Sequence, residues 1–160
     1  MADTPNKDPI FDIRKIYLKD SSLESPNAPD IFLEDAGKPE VNIEASIKAT
    51  ALEQEDYHEV VLGITVTTKM GGKTGFLVEV QQAGVFHISG IPEGDMSLAL
   101  EIACPNVLLP FAREAISDLV GKGGFPQLLL SPINFEALYQ QKRQKMAGKE
   151  AAKDAETPIN

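Results

Sequence analysis

Residues 57–90 read YHEVVLGITVTTKMGGKTGFLVEVQQAGVFHISG, and this stretch decides the fold. Its even positions run His58, Val60, Leu62, Ile64, Val66. Its odd positions run Glu59, Val61, Gly63, Thr65, Thr67. A period of two with one apolar face is the pattern of a half-buried strand. Met70-Gly71-Gly72-Lys73 breaks the run, and paired glycines supply the positive φ that a tight hairpin needs. Beyond the turn, Phe76, Val78, Val80, Phe86 and Ile88 resume the apolar side, while Leu77, Glu79 and Gln81 share the other. The stretch reads as an antiparallel pair that the rest of the chain must extend or cover.

Upstream, residues 40–48 alternate cleanly. Val41, Ile43, Ala45 and Ile47 face one way, and Asn42, Glu44, Ser46 and Lys48 the other, as in a strand with one wet face. Residues 50–56 read as an acidic loop. Residues 10–18 form a first strand whose alternation breaks near Lys15, where a bulge would reconcile the two halves. Residues 19–35 contain Ser25-Pro26-Asn27-Ala28-Pro29. Two close prolines exclude a central strand, so an extended crossing segment is expected.

Downstream of Gly90 the period changes. Met96, Leu98, Leu100 and Ile102 suit a helix with Asp95 as N-cap. Pro105 is expected to interrupt it and Pro110 to kink or restart it. Phe111, Ala112, Ala115, Ile116, Leu119 and Val120 then form a broad apolar stripe. Residues 125–130 read as a hydrophobic loop. A last helix starts near Ser131 or Asn134 and carries Phe135, Leu138 and Tyr139 on one face. Its polar continuation is expected to fray around Gly148. The organisation is thus a flexible N-terminus (1–9), one domain (10–147) and a flexible C-terminal tail (148–160).

A chain of 160 residues can bury its own core. With 24 acidic against 15 basic residues the net charge is −9. That argues against nucleic acid and anionic membranes as partners. It fits either colloidal solubility or an acidic face that docks a basic partner. The single Cys104 excludes an internal disulfide and suits a reducing compartment. The N-terminus has no basic segment leading into an apolar run, and no stretch approaches the roughly 20 apolar residues of a membrane span. A cytoplasmic, soluble protein is expected.

No phosphate loop, dinucleotide fingerprint or paired-cysteine zinc motif occurs. His58 and His87 both sit in the hairpin and read as ordinary strand residues. No catalytic residue, metal ligand or cofactor is expected, and the chain does not read as an enzyme. The notable feature is apolar material outside regular elements: Phe125, Leu128, Leu129 and Leu130, followed by Phe135, Leu138 and Tyr139. These residues either cap the sheet or line a groove for an apolar, extended ligand.

Several blocks, in order over residues 10–140, resemble one family. They are IYLKD (16–20), ESPNAP (24–29), YHEVVL (57–62), FLVEVQQ (76–82), CPNVLLPFARE (104–114), FPQL (125–128) and PINFEAL (132–138). The chain resembles SecB, the homotetrameric chaperone of bacterial protein export. The resemblance implies an α+β fold: a four-stranded antiparallel sheet with a long helix and a shorter C-terminal helix on one side. It also implies a dimer of dimers with the long helices sandwiched between, which would place Phe111, Ala112, Ala115, Ile116 and Leu119 at the oligomer interface. It implies binding of unfolded precursor proteins without nucleotide hydrolysis, and their delivery to the export motor ATPase SecA. The positions matching the SecA dock are Asp20, Glu24, Leu77 and Glu79. Client contacts are expected at Phe125, Leu128, Phe135, Leu138 and Tyr139. The alternatives are a relative dedicated to a toxin–antitoxin pair, or a structural adaptor without a client groove.

Overall fold

The computed structural model describes residues 8–155. Four strands, β1 (Ile10–Glu24), β2 (Glu40–Ala51), β3 (Tyr57–Met70) and β4 (Lys73–Ser89), form one antiparallel sheet in the order β1-β4-β3-β2. The expected hairpin is β3–β4. Gly71 and Gly72, at φ 57° and 80°, make its turn, where any larger residue would be strained.

The alternation read from the sequence sets the two faces of the sheet. Val60, Leu62, Ile64, Val66, Phe76, Val78, Val80, Phe86 and Ile88 are buried on the inner face. A single helical rod, α1 (Glu93–Lys122), lies across them. It meets the sheet through Cys104, Leu108, Ala112, Ile116 and Val120, a row spaced by four residues that stays on one side of a helix. By length and apolar composition α1 would pass for a membrane span. This corrects the expectation that no stretch is long and apolar enough, and the burial of this row on the sheet accounts for one part of that apolarity.

Several local expectations are corrected. The crossing segment does not begin at residue 19, because β1 continues to Glu24. Register shifts at Ile13/Lys15 and Leu18/Asp20 mark two bulges, the first where the alternation breaks in the sequence. β2 likewise runs on to Ala51. The crossover then turns through a short 3-10 segment, Asp30–Phe32, which buries Ile31. Asn27 Nδ2 ties it to the β3–β4 hairpin by donating to the Thr74 carbonyl at 2.8 Å.

Neither proline interrupts α1. A π segment, Ala99–Ala103, sits immediately before Pro105. The wider turn shifts the carbonyls that the proline ring would otherwise strike. Pro110 lies inside the helix and is exposed to solvent. Asp95 is not the N-cap: the helix starts at Glu93, and Asp95 sits in its first turn. The last helix, α2 (Phe135–Ala155), is capped by Asn134, whose Oδ1 accepts from the Ala137 amide at 3.0 Å. It passes Gly148 instead of fraying there. The Gln, Lys, Glu and Ala residues of that half favour helix even without a buried face.

Candidate functional site

The outer face of the sheet, away from α1, is built in rows across the strands. Cross-strand partners share a face, so the register assigns them directly. Glu24 pairs with Leu77, Ser22 with Glu79, and Asp20 with Gln81. Asp20, Glu24, Leu77 and Glu79 therefore stand together on this face. The bulge between Leu18 and Asp20 brings this about. Without the extra residue, Asp20 and Glu24 would point to the core and Leu23 to solvent.

Beside these four residues lies a network that sequence reasoning did not find. Lys19 Nζ donates to Glu59 Oε1 at 2.7 Å, and the Tyr17 hydroxyl donates to Glu59 Oε2. Glu59 sits on β3, two strands away from β1, so the bridge spans β4, where Ala83 stands opposite Tyr17 and Val85 opposite Glu59. The hydrogen bonds from Lys19 and then Tyr17 hold the Glu59 carboxyl below the usual glutamate range. Burial, followed by the bond to Glu59, pushes the Tyr17 phenol up to about 12.

The expected client residues do not form one cluster. Phe125 is stacked between Phe76 and Phe32, with ring centroids 4.9 and 5.1 Å away, at the C-terminal end of α1. Its amide donates to the Val120 carbonyl. Tyr139 lies at the other end of α1, its hydroxyl 3.0 Å from that of Ser97. Twenty-odd helical residues separate those anchors, roughly 35 Å. Phe135 is fully buried and Tyr139 nearly so, which leaves little of either for a ligand. Leu128 and Leu138 are half-buried.

Among the apolar residues exposed to solvent are three near Phe125 that were absent from the expected set: Phe32 (48% exposed), Leu33 (83%) and Leu129 (79%). Apolar character in the crossover was the only signal for the first two. A second surface, an open cleft of about 310 Å³, lies between β2 and α2. Ala45, Ile47 and Leu138 give it apolar walls, and Lys142 and Lys145 stand at its rim.

The expected oligomer residues divide as well. Ala112 and Ile116 are fully buried on the chain's own sheet, so their side chains are not available to a partner. Phe111 is 46% exposed, and Ala115 and Leu119 are half-buried. The stripe is broad because α1 has two apolar faces, only one of which is covered. Among the described residues no group of His, Cys, Asp or Glu is placed to hold a metal ion.

The family model described as Preprotein translocase subunit SecB matches residues 4–146. The chain belongs to the SecB family. The Protein-export protein SecB of Nitrosospira multiformis is 51% identical over 149 residues, covering 93% of this chain and 92% of that protein. The SecB of Nitrosococcus oceani is 52% identical over 143 residues, with 89% and 87% covered. Among solved structures, the Mycobacterium tuberculosis Rv1957 SecB-like chaperone, in complex with a ChAD peptide from the Rv1956 HigA1 antitoxin, superposes with a TM-score of 0.65. That match covers 78% of this chain and 91% of the other at 18% identity, a likeness of fold. As a SecB family member the chain is a non-catalytic, cytoplasmic chaperone that interacts with unfolded proteins and with the export machinery.

Proposed function

We propose that this SecB family member works as a homotetramer, a dimer of dimers, that holds unfolded precursor proteins on apolar surfaces and hands them to the motor ATPase SecA without hydrolysing nucleotide. The handover is read onto the outer sheet face, at Asp20, Glu24, Leu77 and Glu79. The observation that carries this reading is the shared row register of those residues on one open face. Leu77 is a half-buried apolar residue beside carboxylates, a layout that suits an anchor in a charged rim.

Assembly is supported by apolar residues left open on the helix-bearing side. Phe11, Ile13 and Leu18 of β1 are cross-strand partners of inner-face positions, and with Phe111 of α1 they are all more than 40% exposed. Such surface on a monomer marks a contact. Clients are read onto two places instead of one groove. Phe32, Leu33, Leu128 and Leu129 make the first, with Phe125 as its buried support. The β2–α2 cleft with Leu138 makes the second. Apolar burial is non-directional, which gives the low selectivity an export chaperone requires.

The experiment titrates SecA against parent and Glu79→Lys protein at low and high salt, with an unfolded client in parallel. The reading expects weaker SecA binding by Glu79→Lys, a parent complex that weakens as salt rises, and unchanged client affinity. Unchanged SecA affinity, or an equal loss of client binding, would remove the dock from this face.

A further inference from the structure

The outer face is not uniformly acidic. Three successive rows, Glu24–Leu77–Thr67–Asn42, Ser22–Glu79–Thr65–Glu44 and Asp20–Gln81–Gly63–Ser46, hold four carboxylates and no cation. The next two rows, Tyr17–Ala83–Val61–Lys48 and Lys15–Val85–Glu59–Thr50, together with the bulged Lys19, hold three lysines and one carboxylate. That one carboxylate is already engaged. Glu59 takes Lys19 on one oxygen and Tyr17 on the other. Lys15 and Lys48 form no ion pair within 4.0 Å among the described residues, although the charge of Lys48 helps to keep Glu59 ionised.

The sign of the face therefore changes along the strand direction within one row spacing, about 7 Å. On β2 the change is seen directly: Glu44 and Lys48 project from the same face, four residues and about 13 Å apart. A polar cleft of about 250 Å³ lies at this boundary, lined by Lys19, Asp20, Ser46, Lys48, Glu59, Val61 and Gln81. At the neighbouring Gly63 a Cβ would stand 2.6 Å from Ser46 Oγ and 2.9 Å from Gln81 Oε1, so those side chains would have to turn away.

We infer that this face is a dipolar dock. It takes a polypeptide segment whose basic residues lie over Asp20, Glu24, Glu44 and Glu79, and which also carries a carboxylate placed against Lys48. The inference rests on the outer-face docking reading and deepens it. An all-acidic patch would attract any cationic segment in either direction. A face with two signs accepts one direction and repels the reverse, so charge sets orientation as well as encounter rate.

The test uses a charge reversal that separates the two dock types by sign. SecA is titrated at low salt against parent, Glu79→Lys and Lys48→Glu protein, with thermal melting and unfolded-client binding as controls for the fold. A dipolar dock predicts that Lys48→Glu weakens SecA binding by about fivefold, as for loss of an exposed charge pair. A uniformly cationic partner would instead bind Lys48→Glu more tightly than the parent. Weakening by Glu79→Lys with tighter or unchanged binding by Lys48→Glu would overturn this inference and leave the dock in place. No effect from Glu79→Lys would overturn the docking reading itself.

Discussion

Lys19 Nζ sits 2.7 Å from Glu59 Oε1, although the strands that carry them are not neighbours. β4 runs between, with Ala83 opposite Tyr17 and Val85 opposite Glu59. The Tyr17 hydroxyl completes the clamp from the same strand as Lys19. The clamp holds β1 at its second bulge, the feature that turns Asp20 and Glu24 outward.

The clamp predicts a pH response. The Glu59 carboxyl is held below its ordinary range, so its pairing stabilises the fold above the pKa of a free glutamate. That contribution is lost as pH falls through the lowered folded value. Tyr17 is shifted up, to about 12, so its neutral form stabilises the fold below an ordinary tyrosine pKa, and this is lost as pH rises through about 12. In Glu59→Gln protein the Tyr17 phenol should ionise at lower pH. NMR of ring-labelled tyrosine measures this directly, and an unmoved Tyr17 midpoint would refute the coupling.

Ile116 and Phe111 lie on one helix, and opposite outcomes are expected for them. Ile116 is fully buried against the sheet, so Ile116→Asp places an unpaired carboxylate in the core and costs several kcal/mol, roughly the protomer's margin. Phe111 is largely open, so Phe111→Asp should leave the protomer folded and dissociate the assembly. Circular dichroism and light scattering on both variants separate the cases. A folded Phe111→Asp protein that keeps the parent mass would exclude Phe111 from the interface.

Phe125 and Leu129 should also separate stability from binding. Phe125 fills the space between Phe32 and Phe76, and Phe125→Ala should cost about 3 kcal/mol through the cavity left. Leu129 stands in solvent, so Leu129→Ser should change stability by no more than about 0.5 kcal/mol. It should nonetheless weaken the binding of a reduced, unfolded client. Denaturant melts and client titrations are the measurements. Full client affinity in Leu129→Ser protein would take Leu129 out of the client surface.

Several features were legible in the residues. The hairpin was, because Val60 to Val66 and Phe76 to Val80 keep strict alternation and the glycines mark the only turn. The outward placement of Leu77 and Glu79 followed from the same alternation. Asp20 and Glu24 were not placed by periodicity, since counting by two from Tyr17 puts both on the wrong face. The second bulge moves them, and Lys19 within it bonds to a glutamate 40 residues away in the sequence. The continuity of α1 was hidden for a similar reason. Pro105 ends a regular helix by local rules, and the π segment before it packs, partly buried, between the last helix and β2.

The strand pattern, the apolar core face, the hairpin and, through the ordered blocks, the family all follow from the residues alone. These depend on local chemistry: side-chain period, turn glycines and residue identity. The packed fold sets which members of an apolar stripe are taken up by the chain's own sheet. It also splits Phe125 from Tyr139, one to each end of α1, and sets three acidic rows beside two basic ones on the outer face. Those properties depend on which strands become neighbours and where an extra residue is absorbed. They are fixed by contacts between residues tens of positions apart, and no local pattern carries them.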